Sequence, residues 1–367
     1  MASGPFRYET GMGAPNKEAQ PLLRHGGAQL PSVEVDTYNL EVKDDEGFVG
    51  DRASRSSFVS ILDGWREIAM DAGIDDAFGG KSTEEISKKK LDEVLSGGED
   101  HACAVLHSAV EDFAQALAYV VRRFMRTKGW KDTESIAIGG GFSNSRAARI
   151  AMARAELLLR ADGTHVSLTP ITHDPDEAGL IGALHLLPAW MFAGYDGILA
   201  IDIGGTNIRA GIVLSGVKKN DDLSKAEVWK SELWRHGDED PKRDEAVVRL
   251  NELLQGLIAK AEKSKIVLAP VIGIGCPGLI NEDGSIETGA QNLPGNWESS
   301  RFNLAREITA AIPKIGGHDT QVIMHNDAVV QGLSELPQMR SFARWGVLTI
   351  GTGLGNARFT MRAKAGA

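Results

Sequence analysis

The chain has 367 residues, 42% hydrophobic and 25% charged, an ordinary globular composition that excludes a wholly disordered protein. At roughly 100–200 residues per domain, this length predicts two domains or one large two-lobed unit. Lys and Arg total 40 and Asp and Glu total 50, and the net charge of −10 argues against nucleic acid or an acidic membrane as a partner.

The first third of the chain is predicted to be mostly helical. Residues 1–31 are rich in Gly, Pro and polar residues without periodicity, and predict a loop or partly disordered arm. A weak strand-like stretch follows at residues 33–38, and helical spacing begins near Arg52. Residues 82–85 have the form of a capping box and predict a helix start. Apolar residues spaced by three and four predict a long helix over residues 101–126.

Strands and helices alternate through the rest of the chain. Strands are predicted at residues 136–138, 165–168, 198–203, 209–214, 267–274, 322–324 and 345–350. Helices are predicted over residues 144–160, from an N-cap at Asp174 to a stop before Pro188, and along 250–261. The charged stretch 218–245 is predicted to be a solvated loop. This alternation predicts an α/β architecture.

Three glycine-rich turns directly follow predicted strands. They are Gly139-Gly140-Gly141, then Asp202-Ile203-Gly204-Gly205-Thr206-Asn207, and Gly351-Thr352-Gly353-Leu354-Gly355. Glycine lets backbone N–H groups approach phosphate oxygens closely. The strand-end acid Asp202 could hold Mg²⁺ through water. Each motif taken alone is also compatible with a simple hairpin or strand-to-helix turn.

Two further patterns suggest chemistry. Asn326 and Asp327 stand between a strand and a predicted helix, where Asn326 could be an N-cap and Asp327 a general base that accepts the proton of a substrate hydroxyl. Loops at 273–278 and 291–297 are dense in Gly, Pro and Asn and could present amides to a polyol, although loop chemistry alone explains them as well. Cys276 has no histidine tied to it in sequence and is interpreted as a packed residue rather than a nucleophile.

Taken together, five segments resemble, in family order, the motifs of the ROK family of sugar kinases, which has the actin/hexokinase-like (ribonuclease-H-like) fold. They are the first phosphate motif at 201–207, the Gly-x-Pro-Gly loop at 275–278, the sugar loop at 292–295, the Asn326-Asp327 pair, and the second phosphate motif at 351–355. Five segments in order are a more specific signal than any one of them.

The family's adenosine motif and closing helix resemble residues 138–143 and 176–183, which precede the other motifs here. Each motif occurs once. This complementarity favours a circular permutation over a truncated kinase behind an unrelated helical domain. The predicted organisation is a flexible arm at 1–32, an adenosine-side lobe at 33–187, a lobe with the first phosphate motif, sugar loop and catalytic Asp at 188–335, and a second phosphate hairpin at 336–367 that returns to the first lobe.

The resemblance implies that the protein uses ATP and Mg²⁺ to phosphorylate a sugar hydroxyl, as a hexose or glucokinase-like enzyme does, in a cleft between two lobes. It implies that Asp327 is the catalytic base and that Asp202 positions the magnesium ion. The implied ATP- and phosphate-binding residues are Asp202, Gly204, Gly205, Thr206, Asn207, Gly351, Thr352 and Gly353, with Gly139, Gly140 and Gly141 beside the adenosine. The implied sugar contacts are Gly278, Asn292 and Asn326.

The chain departs from this family in one respect, because the Glu-x-Gly-His and cysteine-rich zinc segments of many members are missing. His25 and Cys103 are isolated, so no structural zinc is expected and the sugar is not identified. The alternatives are a sugar- or nucleotide-sensing protein without catalysis, and an ATPase or polyphosphate-dependent kinase on the same fold. A homodimer is expected only from the family. Two cysteines, no apolar run of about 18 residues and no signal peptide predict the cytoplasm.

Overall fold

The computed structural model describes residues 24–141, 143–351 and 353–362. The strands are β1 (Val33–Tyr38), β2 (Lys43–Asp44), β3 (Gly47–Phe48), β4 (Ser135–Gly139), β5 (Ser167–Pro170), β6 (Gly197–Ile203), β7 (Ile208–Leu214), β8 (Glu227–Trp234), β9 (Leu268–Cys276), β10 (Lys314–Ile315), β11 (His318–Asp319), β12 (Gln321–Asn326), β13 (Arg344–Ile350) and β14 (Leu354–Met361). The α-helices are α1 (Arg55–Asp71), α2 (Lys88–Gly97), α3 (Asp100–Met125), α4 (Arg146–Ala161), α5 (Pro175–Gly182), α6 (Arg243–Lys263), α7 (Leu304–Ala311), α8 (Asp327–Leu333) and α9 (Leu336–Met339). In the part of the chain that the structure describes, every helix is too short or too polar to cross a bilayer.

One of the two large sheets, here called sheet B, has the strand order β12-β9-β6-β7-β8. Its first three strands in the chain, β6, β7 and β8, form an antiparallel meander. The next two, β9 and β12, run parallel to β6 on its other side. The carboxyl ends of β6, β9 and β12 therefore meet at one edge of the sheet.

The other large sheet, sheet A, has the order β1-β14-β13-β4-β5 and the same arrangement of directions. Here β13, β14 and β1 form the antiparallel meander, and β4 and β5 run parallel to β13. Strand β1 thus occupies in sheet A the place of β8 in sheet B, although it comes first in the chain. The predicted α/β architecture with two lobes, each built on one five-stranded sheet, is confirmed, and the position of β1 beside β14 agrees with the predicted permuted order.

Helices α5 and α8 lie between the two sheets and hold them together. They cross closely, because a Cβ added at Gly182 of α5 would overlap the carbonyl oxygen of Val330 in α8. Such a crossing requires glycine at that point. Buried side chains from both sheets and both helices form one shared core, with Leu180, Ile198 and Val347 among its members.

Each sheet also carries its own helical layer and core on the face turned away from α5 and α8. Helices α1, α3 and α4 pack over sheet A around the apolar face of α3 that its periodicity predicts, with Phe113 and Leu117 at its centre. Helices α6 and α7 cover sheet B around Leu254 and Ile308. Both sheets are therefore covered on both faces, which is the usual setting of parallel strands.

The prediction of a solvated loop over residues 218–245 is wrong for its central part, because β8 spans Glu227–Trp234. This strand lies at the edge of sheet B, and only Trp234 of its eight residues is fully buried. An edge strand with little burial lacks the alternation of apolar and polar residues that marks a strand in sequence.

The capping box predicted at residues 82–85 does not begin an α-helix. Residues Thr83–Glu85 form a single 3₁₀ turn, and α2 begins five residues later with Ser87 as its N-cap. The hydroxyl of Thr83 is instead bonded to Arg66 and Asp63 of α1, and these tertiary contacts compete with local capping.

Part of the predicted N-terminal arm is packed against the protein. Residues 1–23 lie outside the described residues, whereas residues 25–27 contact β12, where the N–H of Gly26 donates to the carbonyl of Met324 at 2.9 Å. In return, the N–H of Met324 donates to Nδ1 of His25 at 3.1 Å. The chain then enters β1, so this segment joins the edge of sheet B to sheet A.

Candidate functional site

Two carboxylates stand at the carboxyl edge of sheet B. Asp202 is the second-last residue of β6, where it is level with Gly275 of β9. Asn326 ends β12 level with Cys276, and Asp327 is the first residue of α8. Because these three parallel strands end together, the fold brings Asp202 and Asp327 to the same place although 125 residues separate them (327 − 202).

The carboxylate of Asp202 is enclosed by α5. It is 9% exposed, and a Cβ added at Gly179 would lie 2.6 Å from its Oδ1. Burial raises the pKa of Asp202 to about 6, while the positive charge of Arg209 limits the rise. Arg209 is the cross-strand neighbour of Asp202 on β7 and forms an ion pair with Asp176 of α5.

The pKa of Asp327 is raised further than that of Asp202. Burial raises its pKa to about 7, and the negative charge of Asp202 contributes to the same direction. A carboxyl group with a pKa near neutrality can accept and return a proton under physiological conditions. The negative charges of the two acids therefore repel each other, and a proton or a cation at this edge relieves that repulsion.

The turn at residues 204–207 follows β6, and its backbone carbonyls are fixed by hydrogen bonds. The N–H of Gly204 donates to the carbonyl of Asn207 at 2.8 Å, and the carbonyl of Gly204 accepts from Nε2 of the buried His236 at 2.9 Å. The N–H of Gly237 donates to the carbonyl of Thr206 at 3.0 Å. Gly205 and Thr206 themselves are exposed. The turn thus presents open backbone while its carbonyls are bonded on the other side.

The two glycine turns of sheet A touch each other. Gly139 is level with Thr349 in the parallel pair β4–β13. Gly140 has φ +91°, and a Cβ there would overlap the carbonyl oxygen of Ile350. The N–H of Gly351 donates to the carbonyl of Gly353 at 2.9 Å, which closes the second turn. Gly141, Gly351 and Gly353 are exposed, and Thr352 lies outside the described residues.

The first turn of α8 connects the glycine turns of sheet A to the acids of sheet B. Gly275 packs against Asp327, whose Cα would be 3.5 Å from a Cβ added at that glycine. On the other side, Gly355 packs against Ala328 at 3.3 Å by the same measure. Gln331, one helical turn after Asp327, reaches Gly139 with its Oε1 at 2.7 Å from the added Cβ. Asp327 therefore stands where the two sheets meet.

The three residues expected to contact a sugar have different surroundings. Asn292 is exposed and lies beside the turn at residues 204–207, since a Cβ at Gly205 would be 3.2 Å from the Cβ of Asn292. Asn326 is 2% exposed and caps α8: its Oδ1 accepts from Ala328 and its Nδ2 donates to the carbonyl of Gly278. Gly278 is buried, so only Asn292 of these three offers its side chain to solvent.

Cys276 lies at the same edge and is fully buried. Burial raises the pKa of its thiol well above the usual range, and the charges of Asp327 and Asp202 add to the effect. A thiol held in its neutral form is a poor nucleophile, which agrees with the interpretation of Cys276 as a packed residue.

The donor set fits a magnesium ion only if phosphate oxygens and water complete its shell. In the described residues, no group of three or more His, Cys, Asp or Glu side chains could hold a metal ion. Mg²⁺ is commonly held by one or two carboxylates together with substrate phosphates and water. The buried carboxylate of Asp202, beside the open turn at residues 204–207, meets that description.

Several residues of this site carried no sequence signal when taken alone. His236 follows β8, which was not predicted, and Gly179 is a helical glycine with no turn to mark it. Gln331 could have been found from its position four residues after Asp327 on a predicted helix, because such residues share a helix face. Arg209 could have been found from the β6–β7 hairpin, which sets it opposite Asp202.

Comparison with known proteins does not support the ROK family. No family model matches the chain, and no curated protein matches it. An exopolyphosphatase-like protein of known structure is 14% identical, with 69% of this chain and 89% of that chain covered and a TM-score of 0.27. An exopolyphosphatase from Cytophaga hutchinsonii is 16% identical, with 47% and 49% covered and a TM-score of 0.18. The expectation of ROK membership is wrong, since no family model, that of the ROK kinases included, matches the chain.

Proposed function

We propose that the protein catalyses magnesium-dependent phosphoryl transfer from a phosphoanhydride donor such as ATP to a hydroxyl acceptor. The observation that carries this proposal is the position of Asp327. It begins the helix whose first turn contacts the glycine segments of sheet A, and it lies beside Asp202 at the edge of sheet B. Phosphoryl transfer needs little more than positioned phosphates, charge neutralisation and an oriented acceptor.

In this proposal the donor lies across the two sheets. The exposed backbone of residues 204–207 and of Gly351 and Gly353 binds the phosphates through N–H groups. The three glycines 139–141 lie beside the adenosine, and the open space around Gly141 leaves room for a flat base. Asp202 would hold Mg²⁺ through water, and the bound ion would neutralise phosphate charge.

Asp327 acts on the acceptor. Its carboxylate accepts the proton of the acceptor hydroxyl while that oxygen forms its bond to phosphorus, and the bond from phosphorus to the donor's bridging oxygen breaks. The pKa of about 7 places the carboxylate close to the operating pH, where a general base works best. The proton leaves Asp327 to solvent once the product departs.

The acceptor in this proposal is the hydroxyl of a sugar that binds beside Asn292, whose exposed amide lies next to Gly205. A second candidate is water, which would make the protein a hydrolase of phosphoanhydrides. The observation that favours it is the engagement of Asn326, whose amide is bonded to the first turn of α8 and to Gly278. This leaves fewer groups to orient a polyol.

A product assay separates these candidates. Purified protein with Mg²⁺ is given ATP or polyphosphate, alone and with a panel of hexoses, hexosamines and N-acetylated sugars, and both free phosphate and sugar phosphate are measured. Sugar-dependent ADP release with sugar phosphate supports the kinase, and sugar-independent phosphate release supports the hydrolase. Binding without turnover of any donor contradicts the proposal and supports a sensing role. Asp71→Asn, an exposed change at the end of α1, is the matched control.

A further inference from the structure

Strand β8 presents a free edge to solvent. It ends sheet B, and none of the described strands pairs with its outer side. Two large apolar side chains stand on this strand in partial contact with water, Trp229 at 37% and Leu233 at 46% exposure. An exposed strand edge with apolar side chains is a template for pairing with another strand.

The sequence of β8 is complementary to itself in one antiparallel register. Two copies of one strand related by a two-fold axis must pair residues of equal parity, so the axis passes through a residue. With the axis at Ser231, Lys230 lies opposite Glu232 of the other copy, and Trp229 lies opposite Leu233. Opposite charges and apolar pairs directly across an antiparallel pair are the stabilising combinations.

The neighbouring registers lack this property. An axis at Lys230 sets two lysines against each other and Glu227 against Leu233. An axis at Glu232 sets two glutamates together and leaves Trp229 opposite Arg235. Like charges opposite each other destabilise a strand pair. Trp229 is the extra residue of a β-bulge against β7, so the regular pairing is limited to residues 230–232 and the contact of Trp229 with Leu233 lies at each end of the paired segment.

We propose that two copies of this chain associate through antiparallel pairing of their β8 strands about Ser231, which joins the two B sheets into one continuous sheet. The partner is a second copy because the charge pattern of the strand matches itself. Glu232 keeps its ion pair with Lys260 of α6 at 2.5 Å, and Lys230 is exposed and free to reach across the axis. The interface lies on β8 and requires no group of the candidate site.

The test uses charge reversal on the full-length protein. Sedimentation velocity over a range of concentrations is expected to show a dimer for the wild type. Lys230→Glu sets carboxylates against each other at two symmetric positions and is expected to raise the dimer dissociation constant about tenfold. Glu232→Lys does the same with ammonium groups. A mixture of these two variants restores opposite charges across the axis and is expected to associate. Lys128→Glu, an exposed reversal far along the chain, leaves the dimer unchanged.

Covalent trapping checks the register. Residues opposite each other in an antiparallel pair have Cα atoms about 4.5–5.5 Å apart, within the range of a disulfide. Ser231→Cys is therefore expected to form an oxidised dimer, whereas Ser264→Cys, at the exposed end of α6, forms none. A monomeric wild type, a dimer that Lys230→Glu does not weaken, or variants that fail to associate when mixed would each overturn the proposal.

Discussion

The side-chain oxygen of Gln331 lies against Gly139, so the helix that begins with Asp327 touches the glycine turn that ends β4. This contact joins the acid edge of sheet B to the glycine turns of sheet A. It also makes α8 a shared element of both lobes, and any shift of the helix would move the acid relative to both turns.

Substitutions in the glycine turn after β4 test which glycine is required by its backbone conformation and which has room for a side chain. Gly140→Ala forces a side chain into φ +91° and against the carbonyl of Ile350, and is expected to cost about 1–3 kcal/mol of stability and to weaken ATP binding. Gly141→Ala meets nothing within 4 Å and should keep the wild-type unfolding temperature in the absence of ATP. Thermal unfolding with and without Mg²⁺-ATP measures both effects. Equal behaviour of the two variants would argue against this geometry.

The packing of α5 on Asp202 gives a second prediction. Gly179→Ala pushes a methyl group against the carboxylate and should lower stability by about 1–3 kcal/mol and reduce magnesium-dependent turnover. The matched change Gly64→Ala, in the interior of α1 with nothing within 4 Å, should instead stabilise by up to about 1 kcal/mol. Chemical denaturation of both variants provides the measurement, and a stabilised Gly179→Ala would count against the enclosure of Asp202.

Stability without ligand should depend on pH through the two acids. The folded pKa values of about 7 for Asp327 and about 6 for Asp202 are above that of a free aspartate, about 3.9. Between pH 4 and the folded pKa, the folded state therefore keeps protons that the unfolded state releases, and stability falls as the pH rises. Asp327→Asn should be more stable than the wild type at pH 8, by about 1–2 kcal/mol, and nearly equal to it at pH 4. Melting curves at both pH values test this, with Asp71→Asn as control.

His236 supports the turn at residues 204–207 that we propose to bind phosphate, and this support is also testable. His236→Ala removes the hydrogen bond to the carbonyl of Gly204, and a bond of this kind contributes about 1 kcal/mol. We expect about a fivefold weaker affinity for Mg²⁺-ATP with turnover at saturation little changed. His318→Ala, on an exposed hairpin, is the control. An unaltered affinity in His236→Ala would show that the turn holds its shape without this contact.

Much of the fold could be predicted because its signals are local. The apolar face of α3, the cap at Asp174 and the strands that end in glycine turns follow from spacing and turn chemistry. The order of the glycine motifs along the chain predicted the permuted order of strands. Strand β8 was not predicted because an edge strand buries too few residues to show alternation. The capping box at residues 82–85 did not form because Thr83 bonds to residues of α1 instead.

The site could be predicted in part, and the family could not. Glycine turns at strand ends let backbone N–H groups approach a ligand closely, but they do not specify the acceptor. From the sequence, Asn326 could be either a sugar contact or an N-cap, and in the structure its side-chain amide caps α8. His236 and Gly179 act through tertiary contacts that no local pattern encodes. The roles of Asp202 and Asp327 stay predictions.

The central claim is that Asp327 takes the acceptor's proton in a site shared by both sheets. The most direct measurement is phosphoryl-transfer turnover of Asp327→Asn, with nucleotide affinity measured on the same preparation by calorimetry. The account predicts that turnover falls about 10²–10⁴-fold while affinity for Mg²⁺-ATP is retained. Turnover close to that of the wild type in this variant would contradict it.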